Sequence, residues 1–361
     1  MIDHSAFTRR EQAVSPEVQD TRPILIGSVR LAFRQRTFRG NMACDSAIDI
    51  AMKNEAMKIA VVGTGAMGSV YAVLFAEAGH DVWAIDMWPE HVDVINRDGL
   101  KLTGFTGDRT VEVKASISVD DAGSCDMYVL ATKVDGVGPA AQAIAPLLTP
   151  AATVVTIQNG LGAAERICEH IPSEQVLLGV AQGFGAQMMG AGHAHQSGMQ
   201  MLRLGELNGG MTDRLQRIEQ VWAQAGFPVK AFGDIEQLIW EKFICNVAVG
   251  GPSLVSGLTI GELVASQDWR PVVMGCATEA HNVALALGVN VTYDDPVAYI
   301  DAFVAKMPGA TPSMRQDYEN GRRSELDAIN AQVPLLGQRM GVPTPYNDTI
   351  CATVRSMETS L

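Results

Sequence analysis

Residues 58–68, Lys-Ile-Ala-Val-Val-Gly-Thr-Gly-Ala-Met-Gly, carry an apolar run through three glycines at G-x-G-x-x-G spacing into a helix-like stretch, 69–78. That order, strand then glycine turn then helix, describes the first half of a dinucleotide-binding unit. Gly63 permits the tight turn, Gly65 lets the backbone approach a pyrophosphate, and Gly68 lets helix and strand pack closely. Thr64, Ala66 and Met67 complete the turn, and the helix N-terminus offers free N–H groups to an anion. A second apolar run, 81–85, ends in Asp86, eighteen residues after Gly68, where such folds place the acid that meets a ribose.

From Met57 onward the pattern alternates. Strands are predicted over 58–62, 81–85, 127–131 and 153–157, with helices over 69–78, 89–98 and 137–148 between them. Continuous apolar strands separated by helices imply a doubly wound parallel sheet of the Rossmann type, covered on both faces. Further strands are predicted over 176–182 and 198–205, with the glycine-rich 183–192 as a loop. After Gly233 the period becomes helical: 234–249, 259–266, 269–287, 295–306, 313–320, 324–340 and 346–357. The fold class is therefore α/β followed by an all-α part, with a Rossmann domain over 57–233 and a helical substrate domain over 234–361.

The first 56 residues differ, with no sustained period and no long apolar run of a signal peptide. They hold eight basic residues, seven of them Arg, against seven acidic ones, too many acids for a transit peptide. Met57 reads as the natural start and 1–56 as a mis-assigned extension, ahead of a disordered arm. The net charge of −13 argues against nucleic acid as a partner, because phosphate binding needs a basic surface. No apolar stretch approaches the roughly 20 residues of a membrane span. The six cysteines (44, 125, 168, 245, 276 and 351) form no C-x-x-C pair and read as reduced thiols of a cytoplasmic protein. His193 and His195, on a glycine-rich loop without a third ligand, read as a solvated turn, and no metal is assigned.

Chemistry is expected outside the carboxyl ends of the strands, between the two domains. In the apolar helix 234–249, Lys242 and Asn246 are four apart and share a face. A desolvated lysine beside a cofactor has its pKa lowered into a range useful for proton transfer, whereas on a surface helix it is merely a snorkelling side chain. Asn320-Gly321 breaks one helix, and Ser324 is placed to cap the next, with Glu325 in its first turn. Gln158-Asn159-Gly160 ends a strand at the carboxyl edge.

These pieces together resemble the ketopantoate reductase family, NAD(P)H-dependent reductases of 2-oxo acids. The motifs are the glycine fingerprint, Ala131-Thr-Lys133, Asn159-Gly-Leu-Gly, Trp240-Glu-Lys242-Phe with Asn246, and Gly261-Glu-Leu. Ser313-Met-Arg-Gln-Asp, Gly321-Arg-Arg-Ser-Glu325-Leu-Asp-Ala-Ile-Asn330 and Gly341-Val-Pro-Thr-Pro-Tyr-Asn347 complete them. The resemblance implies that Lys242 is the general acid protonating the carbonyl oxygen as hydride arrives. It implies that Asn246 and Ser313 hold the substrate, Ser313 by its carboxylate. Glu325 would contact both the cofactor side and the reacting centre, and Asn159 and Lys133 would line the cofactor site, Asn159 also touching substrate.

Two departures matter. Where the family has a second asparagine on this helix face, the chain has Gly250, which removes a donor and is expected to leave space for a bulkier 2-oxo acid. Where NADP-dependent relatives carry an arginine after the second strand, the chain has Asp86-Met87-Trp88. Asp86 would accept from an unmodified ribose and repel a phosphate, so NAD(H) is favoured over NADP(H). The expected product is a D-2-hydroxy acid, and a homodimer is compatible with the sequence. The competing readings are an opine- or 6-phosphogluconate-type dehydrogenase and a catalytically inactive nucleotide sensor.

Overall fold

The computed structural model describes residues 56–361; the readings of residues 1–56 lie, Ala56 apart, outside the described residues. Strand β1 (Lys58–Val62) has Ile59, Ala60 and Val61 wholly buried, as a strand covered on both faces requires. It feeds α1 (Ala66–Glu77), then β2 (Asp81–Ile85) and α2 (Pro89–Asp98). Three short strands follow: β3 (Leu100–Gly104), β4 (Arg109–Val111) and β5 (Lys114–Ser116). Next come β6 (Met127–Leu130), α3 (Val134–Ile144), β7 (Thr153–Thr156) and α4 (Ala163–Cys168). The chain then runs through β8 (Val176–Gln182), β9 (Gly185–Gly190), β10 (His193–Gly198) and β11 (Met201–Glu206). Helix α5 (Asp213–Gln224) and β12 (Val229–Ala231) close this part.

The main sheet has the order β12-β11-β8-β7-β6-β1-β2-β5. Every neighbouring pair is parallel except β8 with β11. One face packs on α1 and α5 through a ring cluster of Tyr71, Phe75, Trp222 and Phe227. The opposite face buries Val137, Ala141 and Ile144 of α3 and Ile167 of α4.

A second sheet, β4-β3-β10-β9, packs on α1. It corrects the expectation of a loop over 183–192, because β9 occupies 185–190 and pairs antiparallel with β10. His193 and His195 are correspondingly on a strand, not in a solvated turn, and His193 Nε2 and His195 Nδ1 each lie 3.1 Å from the Thr103 hydroxyl. The reason is strand alternation: Ala194 and Gln196 point into the interior, and the histidines occupy the opposite face.

From Ile235 the described structure is helical: α6 (Ile235–Ser256), α7 (Ile260–Ala265), α8 (Trp269–Ala286), α9 (Pro296–Ala305), α10 (Ser313–Glu319), α11 (Gln332–Met340) and α12 (Pro345–Glu358). Their apolar faces form a separate core around Phe243, Val247, Val283 and Val354. The predicted helix over 324–340 is corrected. Residues 322–325 are non-helical, Leu326–Ala328 form one 3-10 turn, and α11 begins only at Gln332. Ser324 therefore caps no α-helix; its N–H donates to Glu358. Among the described residues no helix is long and apolar enough to cross a membrane, and five cysteines are free thiols.

Candidate active site

The carboxyl ends of β1, β2, β6 and β7 lie side by side, and the predicted residues gather there. Gly63 has φ +88°, and its N–H and that of Thr64 both donate to Ile85 O, at 2.8 and 3.1 Å, which folds the turn onto the end of β2. A Cβ on Gly63 would stand 2.6 Å from the Thr132 nitrogen, and one on Gly68 would stand 2.2 Å from Gly63 O, so neither tolerates a side chain. Gly65 differs. Nothing lies within 4 Å of its Cβ position, so its glycine keeps a surface open instead of relieving a clash.

Helix α1 starts at that open surface with no capping side chain and no acid in its first turn. Its leading N–H groups, around Ala66 and Met67, remain available to an anion. The Thr64 side chain faces inward, fully buried, and donates to Val61 O and Ile85 O, so it braces the turn. Beside it Thr132 packs its methyl against Gly63 and its hydroxyl towards Gly136, and that hydroxyl is buried without a partner among the described residues. An uncapped helix start, an open glycine and an unpaired hydroxyl fit a dinucleotide pyrophosphate. Asp86 follows β2, partly buried; one oxygen accepts the backbone N–H of Trp88 at 3.0 Å, and the other has no partner among the described residues.

Lys242 comes from α6, and its ammonium donates to Asn159 Oδ1 at 2.8 Å and to Ala181 O at 2.6 Å. It is no snorkelling surface lysine. Burial pulls its pKa from 10.5 down to about 8; the Glu325 carboxylate opposes that shift and the Arg203 guanidinium adds to it. An ammonium has three N–H donors, and two are held by protein acceptors, so one remains for a ligand. The Asn159 acceptor is fixed in turn, because Gly160 has φ +83° and Leu161 N–H donates to Ala328 O at 2.9 Å.

Glu325 immediately precedes that 3-10 turn, not in the first turn of an α-helix as expected. Its carboxyl is only 10 % exposed and lies 3.6 Å from Lys133 Nζ. Burial raises its pKa, the Lys133 charge lowers it, the Asp317 charge raises it, and hydrogen bonds from Lys133 and Asn159 lower it. Lys133, the residue just before α3, also pairs with Asp317 at 2.9 Å. Asp317 is buried and accepts from Arg322 as well. The structure thus joins Lys242, Asn159, Glu325 and Lys133 in one network.

Asn246 and Ser313 stay outside that network. Asn246 follows Lys242 by one turn of α6, partly buried, and its side chain has no partner among the described residues. Ser313 is exposed at the start of α10, which packs against α6. Gly250 corrects an expectation: it leaves no empty space, because its Cβ position lies 2.8 Å from Met314 Sδ. The buried Met314 thioether has taken that volume.

Two residues escaped the sequence reading. Asp317 sits inside the Ser313 motif, four residues on, and its signal was a carboxylate one turn from a substrate-type serine. Arg203 lies between the buried Leu202 and Leu204, so alternation puts it on the opposite face of β11, towards α6. It has no ion pair among the described residues, unlike Arg109, Arg214 and Arg322. Its β8 partner in register is Val180, next to the Ala181 carbonyl that Lys242 holds.

Comparison with known proteins gives a consistent answer. The family model "Ketopantoate reductase PanE/ApbA" matches residues 59–209, and its C-terminal counterpart matches 234–358. The 2-dehydropantoate 2-reductase of Streptococcus pyogenes serotype M18 is 28 % identical over 306 residues, 84 % of this chain and 99 % of its own. That of Nostoc is 29 % identical over 294 residues, 80 % of this chain and 91 % of its own. Among solved structures, a PanE/ApbA family ketopantoate reductase from Ralstonia eutropha superposes with a TM-score of 0.77 at 30 % identity, over 84 % of this chain and 99 % of that one. D-mandelate dehydrogenase in a ternary structure with NADH and anilino(oxo)acetate superposes with a TM-score of 0.78 at 26 % identity, over the same shares.

Proposed function

This chain belongs to the ketopantoate reductase family, and from that premise we propose that it reduces a 2-oxo acid to a D-2-hydroxy acid with a nicotinamide dinucleotide, Lys242 acting as general acid. The observation that carries the reading is the Lys242 ammonium, held by Asn159 and Ala181 with one donor left over. When bound, the nicotinamide supplies the hydride. The protein must then stabilise charge growing on the carbonyl oxygen and deliver a proton to it. With a pKa of about 8, Lys242 is protonated at neutral pH yet a better acid than a free lysine. Asn246 and Ser313 flank this point from α6 and α10 as donors for the substrate oxygens. Lys133 and Glu325 line the side facing the fingerprint, where the α1 N-terminus takes the pyrophosphate and Asp86 the ribose.

Asp86 supports NAD(H) over NADP(H), since a carboxylate at the end of β2 repels a 2′-phosphate. Gly250 and Met314 support a substrate other than ketopantoate. The family's second asparagine donor is missing, and an apolar thioether fills the position, which suits a 2-oxo acid with an apolar side chain. The D-mandelate dehydrogenase structure, with NADH and anilino(oxo)acetate, is a solved relative of that kind. A cytoplasmic location, suggested by the thiols, belongs to the same proposal.

The test is steady-state kinetics with NADH and NADPH in parallel, against ketopantoate and against 2-oxo acids with apolar side chains. NADH oxidation fastest with an apolar 2-oxo acid is expected, and Lys242→Ala should lower turnover at least about 100-fold while NADH still binds. Unchanged turnover in that variant overturns the role of Lys242, a strong NADPH preference overturns that of Asp86, and binding without oxidation across the panel indicates a sensor.

A further inference from the structure

Beyond Asp86 the chain exposes two large apolar side chains in succession, Met87 at 89 % and Trp88 at 40 %. Trp88 is nevertheless held in place. Its backbone N–H donates to the Asp86 carboxylate at 3.0 Å, and the next residue, Pro89, starts α2 with a fixed φ. One face of its ring stacks on His91, with centroids 5.3 Å apart and planes 12° apart. His91 is completely buried and spoken for at both nitrogens. Gly192 N–H donates to Nδ1 at 2.8 Å, so the neutral ring carries its proton on Nε2, which donates to Thr64 O at 2.8 Å. The imidazole thus ties the glycine turn to the second sheet and sets the plane of the indole.

Trp88 itself remains 40 % exposed and lies two residues past Asp86, on the edge where Gly63 and Thr64 bind Ile85 O. A dinucleotide with its pyrophosphate on α1 and a ribose on Asp86 extends its base past β2, over this ring. We propose that Trp88, stacked on His91, is a binding residue for the adenine of the dinucleotide, with His91 as its positioning residue. This rests on the cofactor reading above and adds the base to it. Because the indole is already ordered, stacking requires little further loss of side-chain freedom.

Titration of the wild type, Trp88→Phe and Trp88→Ala with ADP-ribose and with reduced nicotinamide mononucleotide, which lacks the adenosine, tests it. Trp88→Ala is expected to weaken ADP-ribose binding about fivefold to tenfold, the lower range for a base on an aromatic ring. Its affinity for the mononucleotide should stay within about twofold of the wild type by the same argument. Trp88→Phe should retain ADP-ribose affinity but lose the quenching of tryptophan fluorescence that ADP-ribose causes in the wild type. His91→Gln should weaken ADP-ribose binding more than mononucleotide binding. Equal affinities of wild type and Trp88→Ala for ADP-ribose overturn the proposal, as does an equal loss for both ligands. A wild-type protein that binds neither NADH nor ADP-ribose overturns the cofactor reading and this proposal with it.

Discussion

Replacing Lys242 with methionine should make the protein more stable near neutral pH while disabling it. Lowering a lysine pKa from 10.5 to about 8 means that the folded protein disfavours the charged form, by roughly 3 kcal/mol at pH 7. Below pH 8 both folded and unfolded chains hold the proton, and the penalty is present in full. Between about 8 and 10.5 the unfolded chain holds more protons than the folded one, so wild-type stability from this group rises with pH. Lys242→Met removes the penalty but leaves the Asn159 oxygen and the Ala181 carbonyl without a donor, at about 1 kcal/mol each. The variant should therefore gain about 1 kcal/mol at pH 7, and because the wild-type penalty shrinks by roughly 2 kcal/mol by pH 9.5, that gain should reverse there. Urea unfolding of both proteins without ligand at the two pH values reads this directly. A difference that does not change with pH would refute the claim that the ammonium is held against its own desolvation.

With Lys242 as the proposed acid, the same coupling sets a pH limb. Reduction should fall as pH rises through about 8, where Lys242 loses its proton; Arg203→Leu should move that limb to higher pH and Glu325→Gln to lower pH, as pH–rate profiles would show. Gly68→Ala and Gly65→Ala should separate folding from binding. The first forces a methyl to 2.2 Å from Gly63 O and should cost about 2 kcal/mol or more in unfolding experiments. The second meets nothing within 4 Å and should leave stability near wild type while weakening NADH binding. Gly250→Asn should destabilise by about 1–3 kcal/mol through overpacking against Met314, and adding Met314→Ala should recover part of that in thermal melts.

The nucleotide half was legible because its signals are local. The positive φ of Gly63, the opening at Gly65 and the contact of Gly68 with Gly63 O all lie within one turn, and β1 and α2 fall where the apolar period puts them. The second sheet was not legible. Strand β4 has three residues, and β9, with its glycine-bounded Ala-Gln-Met-Met, has no buried alternation to betray it; pairing with β10 makes it a strand. Glu325 shows the limit differently. Capping explained it adequately in sequence, yet its environment comes from Lys133, 192 positions earlier, and Asn159. Spacing within a motif carries no information about such partners. Lys242 became identifiable once motif order was considered, but its pKa depends on Arg203, which only strand register brings near.

The main-chain bond between Leu161 and Ala328 separates two kinds of change. It fixes the loop that holds the lysine to the turn that holds Glu325 without using a side chain. Ser313 and Met314 lie on α10, outside that clasp. If Lys242 is the acid, substitutions there would reshape what the pocket accepts while Lys242 keeps its Asn159 acceptor, so one scaffold could exchange substrates with its acid chemistry undisturbed.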